Sequence, residues 1–141
     1  MSSFKVFDIA GSGMAAQSVR LNTVASNLAN AESVSGTADG AYKARHPVFE
    51  AVKAGMQAPG GGVDASAAVR VTGIMEDNRA PEMRYQPGNP LANADGYVFT
   101  PNVNVVEEMV DMISASRAYQ NNVEVMNTSK DMLLDTLKLG E

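Results

Sequence analysis

The sequence predicts a mainly α chain with a small β region, built on long N- and C-terminal helices that pair as a coiled coil and enclose short strands and loops. Two observations carry that prediction. All six prolines fall between Pro47 and Pro101, and nine of the twelve glycines fall between Gly36 and Gly96. A proline inside a helix costs ~3 kcal/mol and a glycine ~1 kcal/mol, so the breaker-poor ends are where long helices persist. The second observation is periodicity, because both ends carry apolar rows at seven-residue spacing.

The first segment, 1–32, reads as a helix from about Phe4 to Asn30. Phe7, Met14, Leu21 and Leu28 recur every seven residues, and Val24 lies three positions after Leu21 on the same face. Ala15, Ala16, Ala25 and Ala29 add helix propensity without bulk, which permits close approach of a second helix. Gly11 and Gly13 predict a bend or fraying in the second turn.

The middle segment, 33–102, reads as loop-rich with two or three short strands. Val69-Arg70-Val71-Thr72 and Gly96-Tyr97-Val98-Phe99-Thr100 have β-type composition. Gly60-Gly61-Gly62 and Pro87-Gly88-Asn89-Pro90 are turn or loop signals, and Ala58 to Ala68 is low in complexity.

The last segment, 103–141, reads as one long helix. Asn104 is placed to accept a first-turn N–H, with Glu107 three residues on in a capping-box arrangement. Glu107, Glu108 and Asp111 lie near the positive end of the helix dipole and Lys138 near the negative end, while Gly140 supplies the stop. Val105, Met112, Tyr119, Met126 and Leu133 form one seven-residue row; Met109, Ser116, Val123, Lys130 and Leu137 interleave four positions later. About 35 residues at ~1.5 Å each extend roughly 50 Å, more than a small domain can cover. A subunit with such faces assembles, and heterologous contacts that repeat without closing make a tube or helical polymer.

Composition excludes several classes. Sixteen acids against eleven bases leave a net charge of −5, which argues against phosphate neutralisation on nucleic acid. With no cysteine there are no disulfides, thiolate metal sites or cysteine nucleophiles. Apolar runs are too short to span a bilayer. The N-terminus lacks the charged and hydrophobic regions of a signal peptide, so export is expected to proceed without a cleaved one.

Gly11-Ser12-Gly13-Met14-Ala15-Ala16 mimics a dinucleotide fingerprint, but Ala31 to Gly36 cannot supply the second parallel strand with its acidic end. The plainer reading is small residues where two helices touch, and no cofactor is expected. Gly60-Gly61-Gly62 lacks the lysine of a phosphate loop. His46 is the only histidine and no Gly-x-Ser-x-Gly surrounds a serine, so neither a His-pair metal site nor a catalytic triad is expected. Helix-start electrostatics accounts for Glu107, Glu108 and Asp111 without a cation. Met14, Met109, Met112, Met126 and Met132 suit either adaptable contacts or ordinary core filling. Asn22, Asn27, Asn30, Asn121, Asn122 and Asn127 lie beside the apolar rows, where amides either set register or are solvated.

Leu21-Asn22-Thr23-Val24-Ala25-Ser26-Asn27-Leu28-Ala29-Asn30-Ala31 resembles the N-terminal signature of bacterial flagellar rod and hook proteins. Asn104-Val105-Val106-Glu107-Glu108-Met109-Val110 and Ser114-Ala115-Ser116-Arg117-Ala118-Tyr119-Gln120-Asn121-Asn122-Val123 resemble the matching C-terminal signature. Pro87-Gly88-Asn89-Pro90-Leu91-Ala92 leading into Gly96-Tyr97-Val98, with the compact length, narrows the resemblance to proximal-rod members of the basal-body rod family. Ser33 to Gly40, intervening before Ala41-Tyr42-Lys43, separates the chain from distal-rod and hook relatives.

The resemblance implies a structural, non-enzymatic subunit of a helical tube in the periplasmic space, exported by the flagellar type III apparatus. The tube surrounds the export channel and transmits torque. Its implied partners are other rod subunits and copies of itself, with membrane-ring and export-gate components at the base. The alternatives are another rod or hook-type axial subunit, or a soluble coiled-coil adaptor. The residues expected at subunit interfaces or helix seams are Phe7, Met14, Leu21, Val24, Asn27, Leu28 and Asn30 at one end. At the other they are Val105, Met109, Met112, Arg117, Tyr119, Val123, Met126, Leu133 and Leu137. Asn27, Asn30 and Arg117 are the positions where polar contacts would set register.

Overall fold

A computed structural model describes residues 3–53 and 67–138. Its order is α1 (Ser3–Asn30), β1 (Arg45–Lys53), β2 (Ala67–Glu76), β3 (Glu82–Tyr85), β4 (Tyr97–Thr100) and α2 (Val105–Lys138). The expected Gly60-Gly61-Gly62 linker, most of the Ala58–Ala68 stretch and the Gly140 stop lie outside the described residues.

The helices run antiparallel and pack on each other: Asn27 meets Glu108 and Arg20 meets Asp111 near the start of α2, while Gly13 meets Asn122 further along it. At ~1.5 Å per residue, 28 residues of α1 span about 42 Å and 34 of α2 about 51 Å. The last turns of α2 therefore project past the start of α1.

Contrary to the expectation from Gly11 and Gly13, α1 is unbroken. Gly13 instead makes room, because a Cβ there would lie 2.8 Å from Asn122 Nδ2; Gly11 has open space around it. The tertiary contact makes up for the lower propensity of glycine. At the start of α2, Asn104 Oδ1 accepts the N–H of Val106 (3.1 Å) and Glu107 (3.4 Å), capping two of the free donors.

Among the described residues the middle segment holds four strands rather than two or three, in two antiparallel hairpins, β1–β2 and β3–β4. Arg45–Lys53 and Glu82–Tyr85 carry weak strand signals. Exposed strands do not need the alternation that burial on one face imposes. In β1–β2 the register shifts between Val48 and Phe49, where Val48 pairs Gly73 and Phe49 pairs Val71, a bulge that leaves Thr72 over. The hairpin lies on α1, with the Val69 N–H donating to Ser12 Oγ (3.2 Å).

Residues after α1 join the second hairpin. Ser35 exchanges both backbone hydrogen bonds with Phe99 (2.9 and 2.8 Å), so β4 has a partner on each side. The turn before β4 requires glycine: Gly96 has φ +80°, and a Cβ would lie 2.9 Å from the Tyr85 ring. Tyr85 and Tyr97 meet edge to face, 5.2 Å between centroids.

Among the described residues the core is thin, with Ala10, Ala16, Val24, Ala41, Ala44, Val98 and Ala115 as its buried apolar residues. Among the described residues, Val98 and Asn27 are the largest fully buried side chains. No described helix is long and apolar enough to cross a membrane.

Candidate assembly site

Small residues bring the two helices together, and one amide locks their junction to the middle segment. Asn27 is 0% exposed. Its Nδ2 donates to Glu108 Oε1 (2.8 Å) and to the Arg45 carbonyl (2.9 Å). Its Oδ1 accepts the Arg45 N–H (2.9 Å) and the Tyr42 hydroxyl (3.0 Å). Every donor and acceptor position of the amide is filled, which is what allows a polar side chain to sit in the core. One residue thereby ties α1 to α2 and to the entry of β1.

Asn102 repeats the device from the other side. Its Oδ1 accepts the Ala44 N–H (2.8 Å), and its Nδ2 donates to the carbonyls of Asp77 (3.2 Å) and Arg79 (2.9 Å). The Asp77 N–H in turn donates to the Ala44 carbonyl (2.7 Å). The Ala44–Arg45 link is thus gripped by amides on both flanks, one from α1 and one from the segment leading into α2. The backbone N–H and guanidinium of Arg79 hold the Asp77 carboxyl below its ordinary range.

The three acids at the start of α2 serve different partners. Glu107 is exposed, Asp111 accepts from Arg20 (2.7 Å), and Glu108 is buried against Asn27. Burial pushes the Glu108 carboxyl above its ordinary value, with smaller upward contributions from Asp111 and Glu107; the Asn27 bond and the nearby His46 pull the other way. His46 is exposed on β1, its Nε2 4.0 Å from Asp77 Oδ2.

The seam residues expected from sequence divide into groups. Val24 and Asn27 are buried; Phe7, Met14, Leu21, Leu28, Asn30, Met112, Val123, Met126 and Leu133 are half-buried. Asn30 Nδ2 donates back to the Ser26 carbonyl (2.8 Å), within its own helix. Val105, Met109, Arg117, Tyr119 and Leu137 are exposed in the single chain.

Within the single chain, the row of α2 nearest α1 contains Glu108, Ala115 and Asn122, flanked by Met112. α1 presents Gly13, Ala16 and Val24, so the backbones approach closely, and the facing positions must be small or hydrogen-bonded. A search for apolar bulk passes over such residues. It missed Tyr42, Arg45, Asn102 and Glu108 for the same reason, although an asparagine inside the apolar row of α1 signals a buried partner.

On the side of α2 away from Glu108 and Ala115 lies a second apolar strip. Val106, Val110 and Ile113 follow an i, i+4, i+7 spacing and are 69%, 61% and 55% exposed. Arg117 continues this face, sharing a shallow groove with Val110, Ile113, Ser114, Ala118 and Asn121. Met132 and Leu137 extend the apolar exposure towards the C-terminal end of α2. α2 therefore has one face against α1 and another that is largely exposed among the described residues.

Two family models match the ends of the chain: "Flagella basal body rod protein" over residues 7–36 and "Flagellar basal body rod FlgEFG protein C-terminal" over residues 94–139. The flagellar basal-body rod protein FlgC of Salmonella typhimurium is 52% identical over 141 residues, covering all of both chains. That of Escherichia coli O157:H7 is likewise 52% identical over the whole of both. The FlgC of Bacillus subtilis is 34% identical across the full length of both chains.

Proposed function

The chain belongs to the flagellar basal-body rod protein family, as a structural subunit of the rod, and from that premise we propose that its terminal helices pair as a coiled coil and pack side by side with those of neighbours into a helical tube. Such a tube stands in the periplasmic space, surrounds the export channel and carries torque from the membrane motor to the hook. Its contacts are with copies of the chain and other rod subunits, and with membrane-ring and export-gate components at the base. Segments 1–32 and 103–141 form the tube, and 33–102 reaches the outer contacts. No catalysis and no cofactor enter this function.

The observation that supports it best is the uncovered strip Val106–Val110–Ile113, on the side of α2 opposite its contact with α1. Apolar area removed from water yields about 25 cal/mol per Å², so a row of half-exposed aliphatic side chains on each subunit favours lateral association. Many such contacts engaged together let a tube bear torque without any one of them being strong.

The test replaces the native gene of a motile host with Val110→Asp or Ile113→Asp. The expected outcome is normal synthesis, loss of swimming and basal bodies without a complete rod, because the substitution puts a charge into a seam. Normal swimming by either variant overturns the proposed packing.

A further inference from the structure

Glu108 is the most buried carboxylate of the α1–α2 joint, 4% exposed. Its Oε1 takes one Asn27 amide proton, and its Oε2 is buried with no hydrogen-bond partner among the described residues. Each nearby charged or titratable group has another engagement or the wrong sign. From α1, Arg20 is paired with Asp111. From the link into β1, Tyr42 donates to Asn27, and the Arg45 guanidinium goes to Glu76 (3.2 Å) and lies 5.6 Å from the Tyr42 ring centroid. His46 on β1 is 4.0 Å from Asp77, and α2 itself contributes Glu107 and Asp111, both negative.

Among the described residues, an ionised carboxylate in this place would have one hydrogen bond, no guanidinium or ammonium paired with it and a bare oxygen in the core. The neutral acid keeps the Asn27 bond through the same Oε1 and avoids burying a charge. We propose that Glu108 is a proton-carrying latch: it takes a proton from solvent as α1 seats on α2, so the joint is tight in acid and loosens in alkali.

The direction of the carboxyl's shift agrees, since burial raises it above the ordinary glutamate value. A group raised on folding contributes stability that is complete below its unfolded value and is lost as pH rises through its folded value. The window therefore lies on the alkaline side of about pH 4.3, where exposed glutamates are already ionised. His46 faces the same carboxylate, and its charge when protonated opposes the effect.

The test uses the full-length chain in dilute solution and does not depend on rod assembly, so its failure would leave the tube reading standing. Carboxyl carbon resonances of glutamate-labelled chain are followed against pH, with Glu108 identified by the peak lost in Glu108→Gln. Its titration is expected well above that of the other glutamates; a midpoint among theirs overturns the latch. In parallel, urea midpoints are compared at about pH 5.5 and about pH 8. The wild-type midpoint is expected to be higher at the lower pH. Glu108→Gln, which is neutral throughout, should lose that difference and match or exceed wild type at the higher pH. The same pair is measured with His46→Gln, where the difference must persist. A pH difference unchanged in Glu108→Gln, or abolished by His46→Gln, rejects the proposal, and so does a Glu108→Gln chain that fails to fold.

Discussion

At one end of the helix pair Asn27 is fully buried with all its hydrogen-bonding positions filled, and Ala115 is as completely enclosed two turns further along α2. At the other end Leu137 is 70% exposed and Met132 66%, on the last turns of α2. One helix thus contains both a finished joint and an unfinished face. The joint is held by directional bonds that only one arrangement satisfies, and the far end carries undirected apolar surface that many neighbours could cover.

Breaking the joint should have the largest effect on the isolated chain. Asn27→Ala leaves the Glu108 carboxyl and the Arg45 N–H and carbonyl without that partner, while the Tyr42 hydroxyl keeps Ser26 Oγ (3.3 Å), at a cost of about 1–3 kcal/mol for each buried group left unsatisfied. Allowing for relaxation and water entry, the expected loss is about 2–5 kcal/mol in urea denaturation, and a value below about 1 kcal/mol would show that the joint is not the anchor described. Overpacking comes next. Ala115→Leu inserts bulk at a fully enclosed position of α2, with an expected loss of about 1–3 kcal/mol. A neutral result there would mean that the helices separate easily.

The smallest effects belong to the exposed positions of α2. Leu137→Ala, and Val110→Asp on the uncovered strip, should change the stability of the lone subunit by no more than about 0.5 kcal/mol. The contrast sharpens if Val110→Asp is silent in denaturation yet stops rod assembly in cells. Equal losses at Asn27 and Val110 would erase the distinction between joint and face.

Local patterning carried much of this architecture. Breaker-poor ends marked α1 and α2, Asn104 marked the start of α2, and Pro87-Gly88-Asn89-Pro90 marked a turn before β4. Each of these depends on interactions within a few residues, so spacing and residue type suffice. The seam was legible only in part. Met112, Met126 and Leu133 stood out by their bulk, whereas Ala115, Glu108 and Asn122 had no apolar signal to detect. The strands Arg45–Lys53 and Glu82–Tyr85 were also faint, because their exposure imposes little alternation on the residues chosen.

From the order of residues alone follow two long helices with a turn-rich segment between them, and apolar rows longer than a chain this small can hide. Folding in three dimensions chose which row of α2 meets α1, set Gly13 against Asn122 in particular, and buried Asn27 and Glu108 together. Those outcomes rest on pairs 81 and 91 positions apart, such as Asn27–Glu108 and Arg20–Asp111. No periodicity within either helix encodes such a pairing, because it depends on how closely two backbones approach and on which polar atoms that approach closes off from water.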